Sequence, residues 1–144
     1  MRKAALLTGS AKRIGREIAY HLARPGWDLA LHYNQSFEAV LQLEQQLKKE
    51  FPDQNFCVFS ADLAIYAEIE TLIPDVITKF KRLDLLINNA SVFEPSNLVS
   101  TSHEFLNHQM QINLTAPVIL MRDFACYSGN GLIINFTDTR IASN

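Results

Sequence analysis

Cysteine is scarce in this chain of 144 residues: there are two, too few for a disulfide framework. Charge of one sign is not in excess either, since thirteen basic and fifteen acidic residues leave a formal net charge of −2. That balance gives no reason to expect nucleic acid or an anionic membrane as the main partner. No apolar run approaches the roughly eighteen residues that a bilayer span requires. We therefore expect one globular domain over residues 1–144, with no membrane partner.

Metal-ligand patterns and a secretion signal are also missing. His103 and His108 are five residues apart, which does not place them on one helical face, and there is no HExxH pair. Cys57 lies in an apolar run and is expected to be a small core residue. The apolar stretch near the amino terminus is too short for a signal peptide. We expect a cytoplasmic protein without a metal site.

What the sequence does contain is a regular alternation of short apolar runs and longer segments of helical period. Strands are predicted at Ala4–Leu7, Leu29–Tyr33, Phe56–Phe59, Leu83–Ile87 and Leu132–Phe136. These runs are continuously apolar, which is typical of strands buried on both faces of a parallel sheet. With right-handed crossovers, the pattern predicts an α/β fold: a Rossmann-type, doubly wound parallel sheet of strand order 3-2-1-4-5.

The helical segments carry three further expectations. Ile14, Ile18 and Leu22 recur every four residues and predict the first helix. Pro74 predicts a break or a fresh first turn within residues 66–82. A long helix over Ser102–Ala125 is apolar nearly all round, so its second face should meet another helix or another subunit. A homo-oligomer, dimer or tetramer, formed through this helix is therefore expected.

Polar residues and glycines cluster where the predicted strands end. They are Thr8-Gly9, His32–Ser36, Asp62, Asn88–Ser91 and Asp138. Ligands of open α/β sheets bind outside the carboxyl ends of the strands, so five such strand ends indicate a ligand site.

The first of these strand ends has the character of a phosphate-binding loop. Gly9 permits a tight turn, and Gly15 allows the following helix to pack close to the sheet. Unpaired N–H groups at the start of that helix attract an anion, and Lys12 and Arg13 add positive charge. These features favour nucleotide binding over a glycine loop without a ligand.

At this point the chain resembles the short-chain dehydrogenases/reductases. Thr8-Gly9 with Gly15 looks like their T-G-x-x-x-G-x-G fingerprint, Asn88-Asn89-Ala90 matches their N-N-A motif, and Asp62-Leu63 matches their adenine-binding acidic position. Asn113 falls where the family keeps a helical asparagine that serves catalysis. The resemblance implies cofactor contacts at Gly9, Lys12, Arg13, Ile14, Gly15, His32, Tyr33, Asn34, Ser36, Asp62, Leu63, Asn89, Ala90 and Ser91.

Departures from the fingerprint resemble the pteridine reductase and dihydromonapterin reductase branch. Arg13 replaces the middle glycine, Ser91 stands where glycine is usual, and Asp138 occupies the position of the usual catalytic serine. Phe93 falls where that branch places an aromatic ring over the pterin. The resemblance implies Asp138 and Asn113 as catalytic residues, and Phe93, Ser91 and Arg13 as substrate-binding residues.

Cofactor choice has an independent physical argument. NAD enzymes of this topology usually carry an acid after the second strand, and residues 32–36 contain none. A carboxylate there would repel a 2′-phosphate, whereas Arg13 can offer a planar donor fork and Ser36 a hydroxyl. The sequence favours NADP(H) over NAD(H), although Gln35 stands where an arginine is common in the branch.

Several of these residues also have purely structural interpretations. Asp62 could cap the next helix, Asn88 and Asn89 could tie strand ends together, and Phe93 could anchor a loop. Asn113 lies among apolar neighbours and needs a hydrogen-bonding partner, either structural or a catalytic water. Asp138 could be a turn former.

The family performs its chemistry with Tyr-x-x-x-Lys, and none of the four tyrosines here is followed by lysine four residues on. We expect residues 1–144 to be about the first half of such an enzyme, with little turnover alone. An open edge on the fifth strand and the second face of the Ser102–Ala125 helix predict poor stability or self-association.

The leading hypothesis is an NADPH-dependent reductase of dihydropterin or dihydrofolate-type substrates. Two alternatives remain open: a general carbonyl or 3-oxoacyl reductase, and a non-catalytic nucleotide-binding module.

Overall fold

A computed structural model describes residues 2–137, so Asp138 lies outside the described residues. The strands are β1 Ala4–Leu7, β2 Asp28–Tyr33, β3 Phe56–Ser60, β4 Leu85–Asn88 and β5 Leu132–Asn135. The helices are α1 Arg13–Ala23, α2 Phe37–Glu50, α3 Tyr66–Phe80, α4 His103–Met110 and α5 Ala116–Ser128, with a π-helical turn at Gln111–Thr115 joining the last two. All strand pairs are parallel and the order is β3-β2-β1-β4-β5, which confirms the predicted fold class.

Two apolar layers hold the helices against the sheet. One face packs against α3 and α5, around Leu86, Ile73 and Leu120. The opposite face packs against α1 and α2, around Leu31 and Leu43. Burial on both faces explains why the strands read as unbroken apolar runs. Successive crossovers therefore bring the carboxyl ends of all the strands to one edge of the sheet.

The first helix is present as predicted, and small residues form its buried face. Gly15, Ala19 and Ala23 are buried, whereas Ile14 is 60% exposed. Small side chains face the sheet because they let the helix axis come close to β1. The predicted stripe of Ile14, Ile18 and Leu22 instead lines an apolar groove beside β4 and β5.

Pro74 lies inside α3, and the predicted break is wrong. Proline removes one backbone hydrogen bond and costs about 3 kcal/mol in a helix interior. Ile69, Leu72, Ile73 and Val76 are all buried on the same helix, and this packing holds α3 together across the proline.

The expected long helix is present as α4, the π-helical turn and α5, and it runs on to Ser128. Ile112, Ala116, Leu120 and Phe124 face the core. A second stripe remains about half exposed within residues 2–137, formed by Leu106, Met110, Leu114 and Val118. The expectation of a second apolar face is therefore confirmed for the described residues.

The burial of Cys57 and the length of the helices complete the description of the fold. Cys57 is only half-buried rather than a core residue, because its strand β3 is the edge strand beside β2. Among residues 2–137, no helix combines the length and apolar character needed to cross a membrane.

Candidate functional site

An open cavity of about 620 Å³ lies at the carboxyl ends of the strands. This volume is within the range of small-molecule sites. Its lining residues are Gly9, Ala11, Lys12, Arg13, Ile14, Gly15, His32, Tyr33, Asn34, Gln35, Ser36, Asp62, Leu63, Asn89, Ala90, Ser91, Val92, Glu94, His108 and Ile112. All fourteen residues predicted as cofactor contacts are in this set. The fold thus brings them together from four separate strand ends.

Close packing fixes the turn after β1. Gly9 has a positive φ of 63°, and a Cβ there would come within 2.9 Å of the Ala90 Cα. A Cβ on Gly15 would come within 2.1 Å of the Gly9 carbonyl oxygen. Glycine is required at both positions because the turn, the first helical residues and the end of β4 are in direct contact.

Thr8 and Asn89 lock this turn to the neighbouring strand. The Thr8 hydroxyl oxygen accepts the N–H groups of Asn89 and Ala90, each at 3.0 Å. The Asn89 side-chain amide donates to the carbonyl oxygens of Thr8, at 3.0 Å, and of Gly9, at 3.1 Å. Next to it, Asn88 donates to the Asn135 amide oxygen at 2.8 Å. Both asparagines therefore tie strand ends together, and Asn89 also lines the cavity.

The amino terminus of α1 opens into the cavity without a capping group. Lys12 precedes the helix and makes no side-chain cap, and no acidic residue lies in the first turn. Helix N–H groups without a capping side chain favour an anion at this point. The first turn thus presents donors to the cavity with no carboxylate competing for them.

Arg13 is the charged residue best placed for such an anion. It lines the cavity, is exposed, and forms no hydrogen bond or ion pair with any residue between 2 and 137. Its φ of 49° is in the left-handed region, which costs a non-glycine residue on the order of 1–3 kcal/mol. The backbone therefore places Arg13 at the cavity, beside the open helix end, at a conformational cost.

Asp62 has one carboxylate oxygen committed to the backbone. Its Oδ1 accepts the Ala64 N–H at 2.8 Å and shapes the turn before α3. Asp62 does not cap α3, because the N-cap residue is Ile65 and the helix has no side-chain cap hydrogen bond. The residue also lines the cavity, so the carboxylate is positioned to accept a hydrogen bond from a ligand amino group.

His32 is buried at the end of β2, and both of its ring nitrogens are in hydrogen-bonding contact. Nδ1 accepts the Gly9 N–H at 3.1 Å, and Nε2 lies 3.0 Å from the Ala61 carbonyl oxygen. Burial lowers the pKa of His32 to about 4, against opposing contributions from the Ala61 hydrogen bond and the Asp62 charge. The ring is therefore neutral near pH 7.

Asn113 finds a structural partner. Its side-chain oxygen accepts the Val92 N–H at 3.0 Å, and its side-chain nitrogen donates to the Val92 carbonyl at 2.8 Å. The residue sits in the π-helical turn and pins the segment that follows β4. Asn113 itself does not line the cavity, whereas the adjoining Ile112 does.

Like Asn113, Phe93 is a predicted site residue within residues 2–137 that does not line the cavity. Phe93 is 67% exposed and is not a lining residue, although Val92 and Glu94 on either side are. Asp138 lies beyond residue 137. Within residues 2–137, no group of three or more histidine, cysteine or acidic side chains could hold a metal ion.

Ala11, Val92, Glu94, His108 and Ile112 line the cavity but were not predicted as site residues. His108 and Ile112 are one helical turn apart and therefore share a face. Glu94 lies in an irregular segment for which periodicity gives no signal.

The chain is similar in sequence to one family of enzymes and to several curated reductases. The profile of the short chain dehydrogenase family matches residues 3–139. The chain is 32% identical over 114 residues to 3-oxoacyl-acyl-carrier-protein reductase FabG of Staphylococcus aureus, covering 79% of this chain and 46% of that protein. It is 33% identical over 141 residues to a diacetyl reductase of Staphylococcus epidermidis, covering 94% of this chain and 53% of the relative.

Solved structures give a similar result. The FolM alternative dihydrofolate reductase 1 of Brucella suis, crystallised with NADP, superposes with a TM-score of 0.88 at 28% identity. The match covers 96% of this chain and 58% of that one. The chain thus spans about half the length of the curated relatives it matches.

The neutral state of His32 predicts an acid-sensitive fold. An unfolded histidine takes up a proton near pH 6.5, whereas the folded ring resists protonation down to about pH 4. The free energy of unfolding should therefore fall as pH drops through this window, by on the order of 3 kcal/mol. Urea unfolding of the wild type and His32→Gln across the window measures the effect. A wild-type pH slope no steeper than that of the variant would contradict it.

Proposed function

The chain belongs to the short-chain dehydrogenase family, and on that premise we propose that its strand-end cavity binds NADP(H) in a reductase. One observation carries the proposal: the unpaired Arg13 guanidinium beside the uncapped amino terminus of α1. The helix N–H groups suit the pyrophosphate of a dinucleotide, and the cation suits its 2′-phosphate. Bound NADPH would supply the hydride. The protein would supply phosphate contacts around Gly15 and an acceptor at Asp62.

The preference for NADP(H) follows from the charges around the end of β2. Tyr33, Asn34, Gln35 and Ser36 line the cavity and none is acidic, so nothing there repels a 2′-phosphate. Arg13 supplies a planar donor fork and Ser36 a hydroxyl. The Brucella suis neighbour crystallised with NADP supports the same assignment.

Replacing Arg13 with glycine should weaken NADPH binding about tenfold, equivalent to about 1.4 kcal/mol, and change NADH binding less than twofold. Glycine adopts the left-handed φ without strain, so the fold should be retained or gain stability. Fluorescence titration of both nucleotides against the purified protein measures the change in each affinity.

Lys81→Gly is the matched control. Lys81 also has a positive φ, of 62°, but it follows the carboxyl end of α3, away from the cavity. It should relieve similar strain without changing NADPH affinity. Equal weakening of NADPH and NADH by Arg13→Gly would contradict the role assigned to the guanidinium.

For the substrate, we infer a dihydropterin or dihydrofolate-type molecule whose C=N bond accepts the hydride. Arg13 and Ser91 line the cavity and depart from the common family fingerprint in the way the pteridine reductase branch does. The FolM neighbour, an alternative dihydrofolate reductase by its own description, supports this choice. Phe93 would stack on the substrate ring and Asp138 would donate the proton. Asn113 would hold the Val92 segment in place.

A second candidate is a carbonyl or 3-oxoacyl reductase of the same family. The FabG and diacetyl reductase relatives, at 32% and 33% identity, favour it. In that case Ser91 and Asp138 would be incidental to the chemistry. A third candidate, a non-catalytic nucleotide-binding module, would bind the dinucleotide and turn over nothing.

NADPH consumption by the longer parent enzyme, of which we propose that this chain is a part, separates the three candidates. We expect kcat/KM at least tenfold higher with a dihydropterin than with diacetyl or an acyl thioester. The 144-residue chain alone is the control, expected to bind NADPH without turnover because it contains no Tyr-x-x-x-Lys. Turnover of ketones or thioesters alone would favour the second candidate. Binding without any turnover by the full-length protein would favour the third.

We also propose that the protein forms a homo-oligomer through the helix from α4 to α5. Leu106, Met110, Leu114 and Val118 follow one another at four-residue intervals and are each about half exposed. An apolar stripe of this length is typical of a subunit contact.

A glutamate in this stripe should dissociate the oligomer. Leu114→Glu should reduce the mass of the particle measured by light scattering to that of a monomer, because a charge would be buried in the contact. Leu98→Glu is the control, since Leu98 is 95% exposed and lies outside the helix. An unchanged mass for Leu114→Glu, or a monomeric wild type, would exclude this contact.

A further inference from the structure

We propose that His32 is a positioning residue that couples the two halves of the dinucleotide site, by bridging the turn after β1 to the end of β3. The inference rests on the proposed NADP(H) function. It adds a role for a side chain that lines the cavity but has no ring nitrogen left for a ligand.

The bridge has two arms that start from the same imidazole. Nδ1 accepts the Gly9 N–H at 3.1 Å, and Nε2 contacts the Ala61 carbonyl oxygen at 3.0 Å. A carbonyl oxygen can only accept, so the proton must sit on Nε2 and leave the Nδ1 lone pair for Gly9. The two partners therefore fix one neutral tautomer, and a protonated ring could not serve both.

The Gly9 arm controls the phosphate side of the cavity. Gly9 touches Ala90 on one side and Gly15 on the other, so a shift of its backbone is transmitted to the first turn of α1. The His32 backbone strengthens the same contact, because its carbonyl accepts both the N–H and the hydroxyl of Ser10, each at 3.0 Å. The turn is thus held by side chain and main chain of a single residue.

The Ala61 arm controls the other side of the cavity. Ala61 directly precedes Asp62, whose carboxylate shapes the next turn through Ala64 and also lines the cavity. The Ala61 N–H in turn donates to the carbonyl of Tyr33, at 3.1 Å. His32 therefore sets the distance between the phosphate turn and the acidic residue proposed to accept the adenine amino group.

A histidine that merely filled the core would not need this arrangement. His32 is 2% exposed, and an aliphatic residue at this position would leave the Gly9 N–H and the Ala61 carbonyl without their hydrogen-bonding partner. The imidazole instead spans from β1 to β3 across β2, at the edge of the sheet where the ligand is proposed to bind.

Three substitutions separate the two arms. His32→Asn can keep an acceptor near the Nδ1 position and so retain the Gly9 arm. His32→Gln can keep a donor near the Nε2 position and so retain the Ala61 arm. His32→Phe removes both while keeping a ring. The probes are NADPH and adenosine, which carries the adenine and ribose but no phosphate to contact the turn after β1 or Arg13.

We expect NADPH affinity to fall about threefold in each single-arm variant and about tenfold in His32→Phe. Adenosine should bind His32→Gln like the wild type and bind His32→Asn about threefold more weakly. Titrations are made well below the measured Tm of each variant. If His32→Phe does not fold, the contrast between Asn and Gln carries the test.

Asp28→Ala is the matched control for lost stability. Asp28 is also buried and also ties β2 to β3, through the Asn55 N–H at 2.8 Å, but at the opposite end of the strand. It should lower Tm without changing affinity for either probe.

The outcomes distinguish this inference from the proposed function. Wild-type protein that fails to bind NADPH would overturn the function. Wild-type binding with equal affinities in the Asn, Gln and Phe variants, whatever their Tm, would reduce His32 to a structural role and overturn the inference. Identical losses for both probes in Asn and Gln would also overturn it, because the arms would then not act on separate halves.

Discussion

The close approach of α1 to the end of β4 is the constraint on which the site depends. Gly9 and Gly15 leave no room for a Cβ, and Asn89 fills the remaining space with hydrogen bonds to the turn. This contact places the open end of α1 directly over the carboxyl ends of the central strands. Without it, the helix would stand off from the sheet and its N–H groups would point into solvent rather than into the cavity.

The backbone is strained at the start of α1, next to this contact. Arg13 is one of two non-glycine residues with positive φ among residues 2–137, and it takes a conformation that glycine would adopt freely. Energetically unfavourable backbone concentrates at functional sites, where the side chain is needed more than the relaxed conformation. The missing side-chain cap at Lys12 also indicates a functional site, because a cap would occupy the N–H donors that a ligand requires.

The sequence predicted the strand order and the residues around the cavity because both follow from period and placement. Apolar runs reveal buried parallel strands, and strand ends of a doubly wound sheet converge on one edge. It failed where tertiary packing outweighs local preference. Periodicity predicts a helix over Ile14, Ile18 and Leu22, but it does not show that Gly15 and Ala19 form the face that packs on the sheet. Pro74 reads as a break, but buried neighbours keep α3 continuous. His32 reads as a ligand contact, and only coordinates reveal that its ring bonds internally.

The π-helical turn between α4 and α5 sets the rotational phase of the two helices. Each residue of an α-helix advances the side chain by about 100°, so one additional residue in a turn rotates everything before it relative to everything after it. This offset lets α5 direct Phe124 into the core while α4 directs His108 towards the cavity. A one-residue deletion between Gln111 and Thr115 would restore regular helix and turn His108 away from the cavity, with the fold of the sheet unchanged. Insertions and deletions in this turn can therefore change which α4 side chains line the cavity without changing the strands.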